Sequence, residues 1–165
     1  MRIRPRRRSP IWLLGLQALI AASCGGSSSP STPSPTGSTV ANPREVVFPS
    51  AGLTLHGYLW TPPGRGPFPA VLYNHGSEKL PGSKAALGAY FTAQGYEFFV
   101  PHRRGQGLSP GPYISDVVAQ APPAQQNQVV VDQLVAQADD VAAALTYLTG
   151  LPEVDRGRVA VAGCS

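Results

Sequence analysis

The stretch RVAVAGCS, Arg158 to Ser165, decides how the rest of the chain reads. Its apolar core, VAVA, suits a buried strand, and Gly163-Cys164-Ser165 after it reads as a tight turn that presents a serine. A strand followed by Gly-x-Ser is the first half of the G-x-S-x-G nucleophile elbow. The spacing has a steric cause. A serine lifted above a sheet on a strained turn brings its flanking residues together, and only small ones fit two places before and after it. Gly163 fills the first place, and the second would be residue 167. The expectation is therefore a chain that continues past Ser165. Shifting the frame by one residue would centre the turn on Cys164, with Ala162 in place of the glycine. Otherwise Cys164 reads as a small buried side chain behind the turn.

Upstream of this turn, Val129 to Thr149 predicts a helix. Val131, Leu134, Val135, Ala138, Val141, Ala142, Leu145 and Leu148 make one apolar stripe. Gly150 and Pro152 stop it, and Asp132, Asp139 and Asp140 read as its solvated face. Tyr113 to Gln128, broken by Pro122-Pro123, reads as a loop or short helix. YEFFVP (96–101) and AVLYNH (70–75) predict buried strands, the latter nearly all apolar as parallel central strands are. KAALGAYFTAQ between them predicts a helix ending at Gly95, with Leu87, Tyr90, Phe91 and Gln94 at helical spacing. EVVF (45–48) and LTLHGYLW (53–60), joined by Pro49-Ser50-Ala51-Gly52, predict an antiparallel hairpin. The fold class is α/β: a hairpin leading into a mostly parallel sheet flanked by helices.

In such a sheet, ligands sit at the carboxyl ends of the strands. Three loops leave those ends: His75-Gly76-Ser77, Arg103-Arg104-Gly105-Gln106-Gly107 and Gly163-Cys164-Ser165. Arg103 and Arg104 read either as binders of a substrate carboxylate or, the favoured reading, with one of them pinning the loop through backbone carbonyls. His56, within a strand, reads as a packing or surface residue. His102 could line the cleft. No H-x-x-x-H or clustered cysteine spacing points to a metal.

The first forty residues differ in kind. Met1 to Arg8 carries five arginines, the apolar run Ile11 to Ser23 follows, and Cys24 comes next. A basic start, a short apolar run and small residues make a signal peptide over 1–23. The run is shorter than the about 20 residues a membrane span needs. Ala21-Ala22-Ser23-Cys24 resembles a bacterial lipobox, with Ala21 where Leu is commoner. That resemblance implies lipidation of Cys24 and an exported protein anchored to the membrane. An ordinary signal peptide cut nearby, with Cys24 incidental, is the competing reading. Residues 24–43 are Ser/Pro/Thr/Gly-rich and read as a disordered tether. Of 13 basic and 9 acidic residues, five bases precede the cut and all the acids follow it, leaving a net charge of −1. Nucleic-acid binding has no electrostatic support.

Four ordered segments carry a family resemblance: LTLHGYLWTP, AVLYNHGSE, GYEFFVPHRRGQGLSPG and DDVAAALTYLTGLPEVDRGRVAVAGCS. Together they cover about Glu45 to Ser165, and the chain resembles α/β-hydrolases of the dienelactone-hydrolase and prolyl-oligopeptidase kind. The resemblance implies that Ser165 is the nucleophile of an esterase or peptidase. It implies that the Ser77 backbone N–H is one oxyanion donor and the residue after Ser165 supplies the other. His75 would serve loop geometry. The triad acid and histidine follow the nucleophile in this family. Residues 44–165 are therefore expected to be an incomplete domain, inactive alone. The expected partners are a small ester or peptide substrate and, through the anchor, a membrane; no cofactor is implied. A non-catalytic binding lipoprotein on the same scaffold is the alternative.

Overall fold

The computed structural model describes residues 42–164, so the signal peptide, Cys24, most of the tether and Ser165 lie outside the described residues. The hairpin forms as expected from β1 (Arg44–Ser50) and β2 (Leu53–Trp60). Ala51 and Gly52, both with positive φ, make the two-residue turn between them, the geometry that matches the twist of paired strands. Then follow β3 (Phe68–Asn74), α1 (Ala85–Ala93), β4 (Glu97–Pro101), α2 (Ile114–Gln120), α3 (Gln126–Gly150) and β5 (Val154–Gly163). Tyr113 to Gln128 thus resolves into a short helix, a 3-10 turn at Pro123–Gln125 and the first turn of α3.

The strands lie in the order β1-β2-β4-β3-β5. The first two pairings are antiparallel, while β3 runs parallel to both β4 and β5. From β3 the chain goes first to one side and then to the other. Right-handed crossovers in opposite directions put their helices on opposite faces of the sheet. Two cores result. On one face Phe48, Leu55, Leu59, Leu72 and Phe99 pack under Ala144 and Leu148 of α3. On the other, Trp60, Val71, Phe98 and Val100 meet Leu87 and Phe91 of α1, and the Phe91 and Phe98 rings stack at 4.9 Å. Burying each such side chain is worth about 1.5–3 kcal/mol.

Four expectations need correction. In α1 the inward line runs through Gly88 and Thr92, while Tyr90 and Gln94 are exposed. The indole of Trp60 lies flat against the helix, so a Cβ on Gly88 would come within 2.3 Å of it. In α3 the apolar stripe holds only at its C-terminal half. Val131, Leu134 and Val135 are more than half exposed, and the buried line is Gln137, Asp140, Ala144 and Leu148. Asp140 is no solvated residue, because an arginine and a serine wait for it beneath the helix. Finally, β5 is not buried beyond Val154. It pairs with β3 along one edge, and among the described residues nothing covers its other edge.

Candidate active site

The switch in strand order opens a crevice at the carboxyl end of β3, the place where ligands sit in such sheets. The three loops singled out above converge there on a cleft of about 490 Å³. β3 contributes Asn74 to Ser77, the β4 loop contributes Arg103 and Gln106, and β5 contributes Gly163 and Cys164. Ile114 of α2 and Leu134 and Gln137 of α3 form a third, partly apolar wall. Gly163 sits beside Asn74 in the β3–β5 register, and a Cβ on it would lie 2.9 Å from the Asn74 carbonyl oxygen. The requirement for a small residue here is therefore imposed by the neighbouring strand. Ser165, the expected nucleophile, lies just past the last described residue. Cys164 is exposed on the cleft wall, not buried behind the turn.

The β3 loop is held carbonyl by carbonyl. His75 O and Gly76 O accept from Arg103 Nη2, the first at 3.0 Å. Ser77 O accepts from the Tyr113 hydroxyl. Glu78 O accepts from Gln106 Nε2 at 3.0 Å and Lys79 O from the Gly107 N–H at 2.8 Å. Five consecutive peptide oxygens thus face donors of the segment after β4. Arg103 Nε is fixed in turn by Gln106 Oε1 at 3.0 Å. Between the two readings of Arg103, the geometry gives the loop pin.

Arg104, its neighbour, points elsewhere. Its Nε and Nη2 reach the two carboxylate oxygens of Asp140 at 2.9 and 2.7 Å, its N–H adds a third bond, and the Ser50 hydroxyl a fourth at 2.7 Å. Burial pushes the Asp140 carboxyl up, but these donors outweigh it and hold it below the usual carboxylate range. The bidentate pair ties α3 to β1 and to the root of the β4 loop.

The histidines are accounted for by packing. His102 Nδ1 accepts from the Leu108 N–H at 3.1 Å, which leaves Nε2 protonated and donating to Gly82 O at 3.1 Å. Burial lowers its pKa, and neither nitrogen is left to take a proton. His75 is buried, and burial together with the Arg103 charge lowers its pKa to about 4. It is neutral at pH 7. His56 pairs with Glu45 at 2.9 Å across the hairpin. Among the described residues no three His, Cys, Asp or Glu side chains converge in a way that would hold a metal ion.

Gln106, Tyr113, Gln137 and Asn74 are site residues that the sequence reading passed over. Gln106 lies within the Arg103-to-Gly107 loop at the strand end, but nothing in the sequence sets it apart from its neighbours there. The others carry no local pattern. Three atoms on the cleft wall, Asn74 Oδ1, His75 Nε2 and Gln137 Nε2, are buried and have no hydrogen-bond partner among the described residues.

No protein-family model and no curated protein matches the chain. Solved structures do. Acetyl Xylan Esterase 1 from Thermoanaerobacterium sp. JW/SL YS485 matches with a TM-score of 0.59 and 23% identity, over 80% of this chain and 43% of that one. The alpha/beta hydrolase GrgF from Penicillium sp. sh18 gives 0.53 and 24%, over 73% and 37%. An acylaminoacyl peptidase gives 0.51 and 20%, over 75% and 19%. The chain spans less than half the length of each. The described residues carry part of the α/β-hydrolase fold, an antiparallel hairpin leading into a mostly parallel sheet flanked by helices.

Proposed function

We propose that this chain contributes the nucleophile side of a serine hydrolase acting on a small ester or peptide, of the dienelactone-hydrolase and prolyl-oligopeptidase kind. The observation that carries the reading is the convergence of the held β3 loop and the end of β5 on one cleft. In the proposed reaction the Ser165 hydroxyl oxygen attacks the acyl carbon, and its proton passes to a histidine supplied from later in the polypeptide. The carbonyl oxygen becomes an oxyanion beside the Ser77 N–H. The alcohol or amine leaves with the proton, and water then releases the acid from the acyl-enzyme. Oxyanion donors of this kind are worth about 2.7–4 kcal/mol each in barrier height.

The test is turnover of p-nitrophenyl acetate and labelling by a fluorophosphonate with the full-length protein. Both should vanish in Ser165→Ala. Turnover that survives this change would refute the reading. Tight acyl-compound binding without any turnover would favour the binding lipoprotein instead. Export and anchoring through Cys24 belong to the same proposal. Metabolic labelling with a radioactive fatty acid should mark the protein, and Cys24→Ala should abolish the label.

A further inference from the structure

We propose that Arg103 is a positioning residue whose guanidinium, by holding the Gly76 carbonyl from behind, aims and polarises the Ser77 N–H on the other side of the same peptide. The inference rests on the acyl-transfer reading above and assigns a residue to it. Its geometry is simple. A trans peptide is planar, so its C=O and N–H point in opposite directions, and whatever fixes the oxygen fixes the hydrogen. Gly76 O lies against Arg103 Nη2, His75 Nδ1 at 3.0 Å and Gln106 Nε2 at 3.4 Å. Among the described residues the Ser77 N–H enters no backbone–backbone hydrogen bond, and Ser77 lines the cleft.

The Gly76–Ser77 peptide needs such a restraint. Glycine lacks the Cβ that would limit its dihedrals, so an unheld peptide here could flip and turn a carbonyl oxygen toward the developing oxyanion. Arg103 prevents this with one nitrogen that bridges two successive carbonyls, His75 O and Gly76 O. Its Nε is locked by Gln106, which is itself buried. A guanidinium stays cationic when half-buried. A charge on the carbonyl side draws electron density through the amide and makes the N–H on the far side a stronger donor. Nε and Nη2 are both engaged inside the protein, so the fork they form is not offered to a substrate carboxylate.

The experiment compares wild type, Arg103→Gln, Arg103→Ala and Ser165→Ala as full-length proteins, with folding checked by circular dichroism. On p-nitrophenyl acetate, Arg103→Gln should lose about 10- to 100-fold in kcat, somewhat less than deleting an oxyanion donor outright. KM should move less than about twofold. Millimolar guanidinium should restore part of the loss in Arg103→Ala. An unchanged kcat would overturn the proposal, and so would a loss confined to KM for anionic esters, which would make Arg103 a substrate binder. In amide NMR spectra the Gly76 and Ser77 resonances should broaden or split in Arg103→Gln. Unchanged resonances would overturn the positioning whatever the activity. Because that readout does not need turnover, it decides the role of Arg103 even if Ser165→Ala retains activity and the acyl-transfer reading falls.

Discussion

Each end of this sheet buries one carboxyl group, and the two are treated in opposite ways. At the carboxyl end Asp140 is 1% exposed and receives the Arg104 N–H, Nε and Nη2 and the Ser50 hydroxyl. At the amino end Glu97 is fully buried and receives one bond, from the Thr61 hydroxyl at 3.2 Å, while Oε1 has no partner among the described residues. Burial disfavours the charge in both. Four donors reverse it for Asp140, whereas one donor and the nearby Glu153 leave Glu97 raised to about 7. The end that holds the cleft is tied down by charge. The other end keeps an acid that titrates near neutrality.

The largest effect should come from breaking the charged end. Asp140→Ala strands Arg104, whose side chain keeps 20% of its surface exposed, so the cost should lie near the low end of unpairing a buried ion pair, about 3 kcal/mol. Urea denaturation at pH 7 should show it; a loss under about 1 kcal/mol would mean that the pair is no anchor. The second prediction concerns pH. A carboxyl raised from 4.5 to about 7 on folding binds a proton in the folded state that the unfolded chain has released. Its stabilisation is present in full below pH 4.5 and is lost as pH rises through 7, by up to about 3 kcal/mol. Glu97→Gln should flatten that slope. For Asp140, held low, the sign is reversed: its stabilisation is present above the unfolded value of 3.8 and is lost as pH falls through the folded one.

Smaller effects sharpen the same contrast. Ser50→Ala removes one of four donors and should cost about 1–2 kcal/mol; the folded Asp140 carboxyl then moves up toward 3.8, so the acid-side loss should be smaller and end at a higher pH. Asp139 is adjacent to Asp140 in the chain but exposed. Asp139→Ala should change stability by less than about 0.5 kcal/mol. Equal costs at 139 and 140 would refute the buried line assigned to α3.

Much of the architecture was readable from local pattern. Period-two apolar residues and a turn gave the hairpin, apolar runs gave β3 and β4, and the alternation of strand and helix gave a mixed sheet with its loops at one edge. The failures share a cause. Tyr90, Val131 and Val135 fall at helical spacing yet are exposed, because periodicity finds a stripe but not the azimuth at which a helix meets its sheet. Asp140 reads as solvated from its spacing, and nothing local marks Gly88 as inward, because each is chosen by a partner distant in sequence, Arg104 and Trp60.

The candidate site divides along the same line. His75-Gly76-Ser77, Arg103 and Gly163 could be named in advance, since strand ends in a parallel sheet must gather there. Gln106, Tyr113 and Gln137 could not, because they answer carbonyls and surfaces that exist only once the loops have met.

The chain's own order of residues settles which segments become strands and helices and which loops share an edge, for these follow from short-range sterics and the spacing of apolar side chains. Which buried charge is paired, which helix face turns inward and which peptide is gripped from behind were decided by the folded whole. A hydrogen bond depends on distances of a few ångströms between residues that lie tens of positions apart along the chain.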